Sequence, residues 1–77
     1  MITGAQIVAA RELLQWAQTD LARKAKLRPS VIMRAEASPS EPVITVAQMD
    51  ALLRTLKAAG IEFTVGEPGV RLARKPE

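Results

Sequence analysis

Five basic side chains are concentrated in one short stretch of the chain. The fifteen residues from Leu21 to Ala35 contain no aspartate or glutamate, yet they hold five of the eleven basic residues, at Arg23, Lys24, Lys26, Arg28 and Arg34. The net charge of the whole chain is only +3, so the clustering matters more than the total. Because an uncompensated positive surface attracts polyanions, this stretch predicts a polyanion-binding face.

Residue types that support catalysis or metal binding are scarce. The sequence has no cysteine and no histidine, which removes the thiolates and imidazoles that bind metals or act as bases. Glu36 has no second carboxylate beside it for acid–base chemistry, and no glycine-rich phosphate loop is present. We therefore expect no metal, no cofactor and no enzymatic activity.

Two short helices are predicted to carry the basic stretch, over residues 18–25 and 29–37. Their apolar positions recur every three or four residues, at Leu21, Ala22, Ala25, Ile32 and Ala35. Only three residues separate the helices, which suits a sharp helix-to-helix corner rather than a flexible loop. Small alanines at the contact allow the two helices to cross closely.

The spacing of these residues resembles that of a known family. The helix-turn-helix of the Xre/Cro-type, lambda-repressor-like DNA-binding domains is matched at Gln18, Leu21, Ala22, Ala25, Leu27, Ile32 and Glu36, and the resemblance covers residues 3–60. It implies that the first helix of the corner points its N-terminus at a DNA phosphate, and that residues 29–37 form a recognition helix in the major groove. The residues then expected to contact DNA are Gln18, Thr19, Lys26, Arg28, Pro29, Ser30, Val31 and Arg34.

Several of these residues have a simpler alternative role. Because Ile32 and Ala35 must face the core, Ser30, Val31 and Arg34 are left to face outward. Arg34 then either hydrogen-bonds to a guanine or a phosphate, or is a solvated surface cation. Val31 contacts a thymine methyl group or is partly buried, and Gln18 adds a side-chain amide to the phosphate site or is simply exposed.

The corner departs from the family pattern at three positions. Lys26 stands where relatives usually have glycine in the turn, and Arg28 and Ala17 stand where they have helix-capping residues. A non-glycine residue in a left-handed turn and a missing cap each cost about 1 kcal/mol, whereas Pro29 suits the first helical position. Lys26 and Arg28 either exchange stability for phosphate contacts or reflect ordinary drift.

Arg11 and Glu36 are predicted to form a structural ion pair. They match positions that, by the same resemblance, join the first helix to the end of the third. Removal of one partner would leave a partly buried, unmatched charge.

Two further helices are predicted outside the corner. Thr-x-x-Gln capping boxes begin them at Thr3 and Thr45, and Gly60 is expected to end the second of them in a left-handed conformation. Trp16 is expected either to fill the core between the first two helices or to be a solvent-facing contact residue. The apolar stripes are Ile7, Ala10, Leu13 and Leu14 in the first of these helices, and Val46, Met49, Leu53 and Leu56 in the second.

After Gly60 the apolar period changes from about 3.6 to two, which predicts two strands around a turn at 66–69. The alternating residues are Ile61, Phe63, Val65, Val70 and Leu72. A lone hairpin is marginal, so the strands either pair with a second copy to form a homodimer or pack on their own helices. Residues 38–42 are predicted to form a loop and 74–77 a basic tail.

The 77 residues predict a mainly α fold: a compact four-helix, lambda-repressor-like domain over 1–60, and a short β-hairpin or strand pair over 61–77. No apolar run is long enough for a membrane span, so we expect a cytoplasmic protein that associates with the nucleoid when bound to DNA. The leading hypothesis is a sequence-specific transcriptional regulator that binds double-stranded DNA. The alternative is a protein-interaction module, such as an antitoxin or a transcription-machinery adaptor, acting through residues 61–74.

Overall fold

Four helices precede a two-stranded antiparallel sheet in the computed structural model, which describes residues 2–38, 43–64 and 69–73. This confirms the predicted mainly α fold with a C-terminal strand pair. The predictions at Val65, in the turn residues 66–68, in the loop residues 39–42 and in the tail 74–77 lie outside the described residues. The elements are α1 (Gly4–Leu13), α2 (Gln18–Ala25), α3 (Pro29–Ala37), α4 (Val46–Ala58), β1 (Ile61–Phe63) and β2 (Val70–Leu72).

Both predicted capping boxes are present. The Thr3 hydroxyl accepts a hydrogen bond from the Gln6 N–H at 3.2 Å, and the Gln6 side chain accepts one from the Thr3 N–H at 2.8 Å. Thr45 and Gln48 repeat this exchange at 3.0 and 2.9 Å before α4. These bonds satisfy backbone donors that a helix start otherwise leaves free, so they fix where α1 and α4 begin.

Left-handed residues end the first two helices. Lys26 after α2 and Gln15 after α1 both have φ of 59°. In each case the next residue donates its N–H back across the last turn, from Leu27 to the Ala22 carbonyl at 2.8 Å and from Trp16 to Arg11 at 3.1 Å. This pattern usually has glycine at the left-handed position. Gly60 has the predicted positive φ, 104°.

One apolar core is shared by all six elements. It contains Ile7 and Ala10 of α1, Leu21 and Ala22 of α2, Ile32 and Ala35 of α3, Leu52 and Leu56 of α4, and the strand residues Ile61 and Val70. Ala25 of α2 is also buried, so the core-facing residues predicted for α2 and α3 are confirmed.

The predicted core stripe of α4 is partly wrong. Leu52 is fully buried where Leu53 was expected to be, and Val46 is 87% exposed. Two apolar stripes run along this helix at nearly the same spacing, and only packing against the other elements selects between them. Leu13 of α1 also lies further out than expected, at 43% exposure.

Trp16 packs against the core but is only partly buried. It follows the left-handed Gln15, and its ring lines an open groove with Lys24 of α2 and with Ala58 and Ala59 at the end of α4. The Lys24 ammonium is 5.1 Å from the ring centroid, within the range of a cation–π contact. Of the two roles predicted for Trp16, packing against the core is the one observed, and the side chain lies at the margin of the core, where α4 also contributes neighbours.

The strands pack on the helices of their own chain. Ile61 pairs with Leu72, Glu62 with Arg71 and Phe63 with Val70. β2 lies against α1 and β1 against α4, and Gln6 of α1 donates a hydrogen bond to the Gly69 carbonyl at 3.0 Å. Of the two arrangements predicted for the hairpin, packing within one chain is thus observed.

Close contact joins the start of α1 to the end of α3. A Cβ atom added at Gly4 would overlap the Ser38 carbonyl oxygen and lie 2.6 Å from that of Ala35. Only glycine fits here, and the positive end of α1 meets the negative end of α3, which is favourable for both helix dipoles.

In the described part of the chain, no helix combines the length and the apolar character that crossing a lipid bilayer requires.

Candidate nucleic-acid interface

The corner between α2 and α3 is a tight turn of three residues. Lys26 adopts the left-handed conformation, Leu27 packs against the core, and Arg28 stands at the N-cap of α3 without a capping side chain. Pro29 occupies the first helical position, as predicted, where its missing N–H costs no hydrogen bond. α2 and α3 pack directly on each other beyond the turn. The sequence thus folds this segment into the helical corner that its spacing predicts.

One face of α3 is open to solvent. Ser30 and Arg34 are exposed, as predicted, whereas Val31 is partly buried. Met33 is 54% exposed on the same face, although the sequence reasoning did not assign it a role. Its position three residues after Ser30 is the signal that could have identified it, because residues three and four apart share a helix face. The open face therefore carries Ser30, Met33 and Arg34.

Three of the five clustered cations have no acidic partner in the described part of the chain. Arg23 is paired with Asp20 at 3.2 Å, and Lys24 lies over the Trp16 ring. The remaining three, which have no ion pair with any described residue, are Lys26, Arg28 and Arg34. All three are exposed and belong to the corner or to α3. Positive charge is therefore concentrated along the turn and the open face of α3.

The N-terminus of α2 is capped in a way the sequence reasoning missed. Ala17 has no side-chain oxygen, but its N–H donates to the Asp20 carboxylate at 2.8 Å. This is the reach-back half of a capping box, and an acid in the first turn also suits the helix dipole. The N–H groups of Gln18 and Thr19 lie in the first turn, where a helix has no internal acceptors for them. They are suitable donors to an anion.

The predicted Arg11–Glu36 ion pair is present at the base of the corner. Arg11 Nε lies 2.8 Å from Glu36 Oε2 and Nη2 lies 3.1 Å from Oε1, while Nη1 donates to the Trp16 carbonyl at 2.9 Å. The side chains are 17% and 6% exposed. The hydrogen bond to Glu36 raises the pKa of Arg11 above its ordinary value, while burial opposes the shift.

Gln18 joins this cluster, which changes its expected role. Its side-chain N–H donates to Glu36 Oε1 at 2.9 Å, so one donor of the amide is directed into the protein. The sequence reasoning expected the Gln18 amide to add to a phosphate site. In this structure the side chain also ties α2 to the end of α3, and Glu36 thus accepts hydrogen bonds from both α1 and α2.

Comparisons with protein-family models, with curated proteins and with solved structures found no match to this chain. The resemblance to Xre/Cro-type domains therefore depends on the corner residues themselves. These residues and their neighbours supply the following chemical groups. An exposed helix face offers a hydroxyl, a thioether and a guanidinium, and two further cations and two helix-end N–H groups lie on the flanking elements.

Proposed function

We propose that the chain is a sequence-specific DNA-binding regulator of transcription, of the Xre/Cro type, that places α3 in the major groove. The observation that carries this proposal is the open face of α3 beside cations that have no acidic partner among the described residues. Bulk charge is too small to explain polyanion binding. A localised, shaped positive surface on a short helix suits the width of the major groove.

The open face of α3 supplies the groups that read bases. Arg34 presents a planar guanidinium that pairs with the O6 and N7 atoms of guanine, and Ser30 donates to or accepts from a base edge or a phosphate. Met33 takes the apolar role first assigned to Val31, contact with a thymine methyl group, because its side chain is the more exposed. Val31 remains at the edge of this face.

Phosphate contacts come from the elements on either side of α3. The Gln18 and Thr19 N–H groups at the start of α2 hold one phosphate, and the Lys26 and Arg28 side chains reach others. Pro29 touches the DNA through its ring only. Such contacts fix the orientation of α3 without reading sequence, and they make affinity fall as salt rises.

The proposed regulator binds DNA as a homodimer. One domain of 77 residues buries a modest surface on DNA, so useful affinity calls for two copies on one site. A twofold axis places the two α3 helices in successive major grooves of an inverted repeat. We assign the protein to the cytoplasm and, when bound, to the nucleoid, and we assign it no enzymatic activity.

Selection of binding sites from random double-stranded DNA tests this function. The wild-type chain is expected to enrich an inverted repeat, and Arg34→Ala to lose about 1–3 kcal/mol of discrimination at one base position in each half-site. Arg54→Ala is the matched control, since Arg54 is an exposed arginine on α4. Failure to enrich any motif, or an Arg34→Ala motif identical to the wild type, would contradict base reading by α3.

The second candidate is a protein-interaction module, such as an antitoxin or a transcription-machinery adaptor, working through residues 61–74. Partial exposure of Leu13 on α1 and of Leu72 on β2 favours it, at 43% and 47%. Tight binding to a toxin or polymerase, together with DNA binding that ignores sequence, would support this candidate over the first.

A further inference from the structure

An open groove lies between α2 and α4, beside the turn that follows α1. It has a volume of about 450 Å³, and its lining residues are Trp16, Lys24, Arg54, Thr55, Ala58 and Ala59. None of these residues belongs to the proposed DNA surface or to residues 61–74. The groove is therefore a surface that neither candidate function uses.

Part of the groove is apolar. Trp16 and Ala59 are partly buried and Ala58 is exposed. Because an alanine side chain is a single methyl group, the end of α4 leaves room for a larger apolar side chain beside the Trp16 ring. Such a side chain would remove its own apolar surface and that of the groove from water, which is favourable.

Two exposed cations flank these apolar residues. The Lys24 ammonium lies 5.1 Å from the centroid of the Trp16 ring, which carries no net charge. Arg54 lies 2.9 Å from Asp50, but its side chain is 81% exposed, so this pair is weak and easily exchanged. α2 and α4 together carry two acids against four bases, namely Asp20, Asp50, Arg23, Lys24, Arg54 and Lys57. The groove therefore lies in a positive surface that suits carboxylates.

We propose that this groove binds an acidic segment of a partner protein. One large apolar side chain of the segment packs beside Trp16, and carboxylates on either side of it pair with Lys24 and Arg54. The Thr55 hydroxyl donates to the Ala51 carbonyl at 2.8 Å, so its oxygen remains an acceptor for a backbone N–H of the segment. This binding requires no DNA and goes beyond the proposed function.

The charges of the chain disfavour a second copy as the occupant. Of the five acidic residues that the structure describes, four are paired with a base of the same chain. Glu12 is the one described acid without such a pair. Residues 2–38, 43–64 and 69–73 therefore present no surface with two free carboxylates. Single-stranded nucleic acid also fits less well, because the Lys24 ammonium already lies over the Trp16 ring, where a base would stack.

Trp16 reports occupancy of the groove directly, because it is the only tryptophan of the chain. Short peptides encoded without tryptophan or tyrosine are selected by display on the wild-type chain, then synthesised and titrated while Trp16 emission is recorded. We expect enriched peptides that shift this emission to shorter wavelength, and we expect these peptides to carry a large apolar residue between acids. If no enriched peptide shifts the emission, or those that do lack acids, the proposal is wrong.

Matched double variants test the two cations. Lys24→Ala with Arg54→Ala removes one lysine and one ion-paired arginine from the groove. Arg23→Ala with Lys57→Ala removes the same residue types from the same helices but outside the groove. We expect the first double variant to bind the peptide about tenfold more weakly, since each exposed charge pair contributes up to about fivefold. The second should change binding by less than about twofold. Equal weakening would overturn the proposal.

Ala58→Leu tests the apolar part of the groove without a change of charge. Ala47→Leu is the matched control, since Ala47 is also exposed on α4 but does not line the groove. Leucine is a good helix former, so both variants should fold. We expect Ala58→Leu to weaken peptide binding at least about tenfold by filling the groove, and Ala47→Leu to leave it unchanged. An unchanged affinity in Ala58→Leu would overturn the proposal.

Other occupants give different results in the same titration. Oligothymidylate that shifts Trp16 emission as strongly as the best peptide would make the groove a nucleic-acid site and overturn the proposal. A shift that appears in the free chain as its concentration rises would identify a second copy as the occupant, with the same consequence. Arg34→Ala is expected to bind the peptide as tightly as the wild type does. Loss of peptide binding in this variant would place the peptide on α3 and contradict the assignment to the groove.

Discussion

At the scale of single residues, the Glu36 carboxylate connects three helices. It accepts from Arg11 of α1 and Gln18 of α2 while belonging to α3, and its side chain is 6% exposed. A carboxylate with so little contact with water is stable only while its donors remain in place. Arg11 also holds the turn after α1 through the Trp16 carbonyl. The orientation of the corner therefore depends on this cluster.

Removal of Arg11 should destabilise the protein more than removal of any surface arginine. We expect Arg11→Ala to lower the free energy of unfolding by about 2–3 kcal/mol, between the values for exposed and fully buried pairs. Arg54→Ala is the control, because the Arg54–Asp50 pair is 81% and 56% exposed, and it should cost less than about 1 kcal/mol. Urea unfolding followed by Trp16 fluorescence measures both. Equal losses would show that the cluster has no structural role.

The residue scale also shows where sequence reasoning ends. Arg11 and Glu36 were predicted as partners, but the link from Gln18 was not, since a glutamine at a helix start can face solvent or protein with equal local cost. Val31 was expected to face outward and Met33 was assigned no role, whereas Met33 is the more exposed of the two. The rotation of α3 against the core decides which of them is exposed. That rotation depends on contacts distant in sequence.

At the scale of elements, the residues at which helices begin were largely predictable from the sequence. The buried side of each helix was predicted less reliably. The Thr3 and Thr45 capping boxes are local patterns of fixed spacing, and both are present. The cap at Ala17 was missed because Asp20 supplies half a box without a capping hydroxyl. In α4, Leu53 was predicted to be buried, but its neighbour Leu52 is the fully buried residue. Either leucine fits the apolar spacing of the helix until the helix packs against the other elements. The close approach of Gly4 to the end of α3 could not be predicted from the residues around Gly4 in the sequence.

The two left-handed residues allow a matched test of the corner. Lys26 and Gln15 have the same φ, 59°, so glycine at either site should relieve similar strain and stabilise the protein by about 1 kcal/mol. Only Lys26 belongs to the proposed DNA surface. We therefore expect Lys26→Gly to weaken DNA binding and Gln15→Gly to leave it unchanged, as measured by fluorescence anisotropy and thermal unfolding. Unaltered binding in Lys26→Gly would favour drift over a phosphate contact.

At the scale of the whole molecule, the hairpin and the helices share one core. Ile61 and Val70 are 2% and 5% exposed and cluster with residues of all four helices. Residues 61–77 were treated as a separate segment because the apolar period changes at Gly60, and that change marks a new element rather than a new core. Cooperative unfolding of the whole chain is the expected consequence.

Truncation of a strand residue should therefore destabilise the helices. We expect Ile61→Ala to lower the free energy of unfolding by about 2–4 kcal/mol, a large part of the stability of so small a domain. Far-ultraviolet circular dichroism and Trp16 fluorescence should give the same midpoint in urea. Val46→Ala, at a residue that is 87% exposed, should change the free energy of unfolding by less than about 0.5 kcal/mol. A lowered circular dichroism signal with an unchanged Trp16 transition would mean that the hairpin unfolds separately.

The central claim is that α3 reads bases in the major groove, and methylation interference on a selected DNA site tests it most directly. Dimethyl sulfate marks guanine N7 in the major groove and adenine N3 in the minor groove of the same duplex. We predict that N7 methylation blocks binding at a guanine in each half-site, and that Arg34→Ala loses sensitivity at that guanine alone. Interference confined to adenine N3, or an identical guanine pattern for the wild type and Arg34→Ala, would contradict the placement of α3 in the major groove.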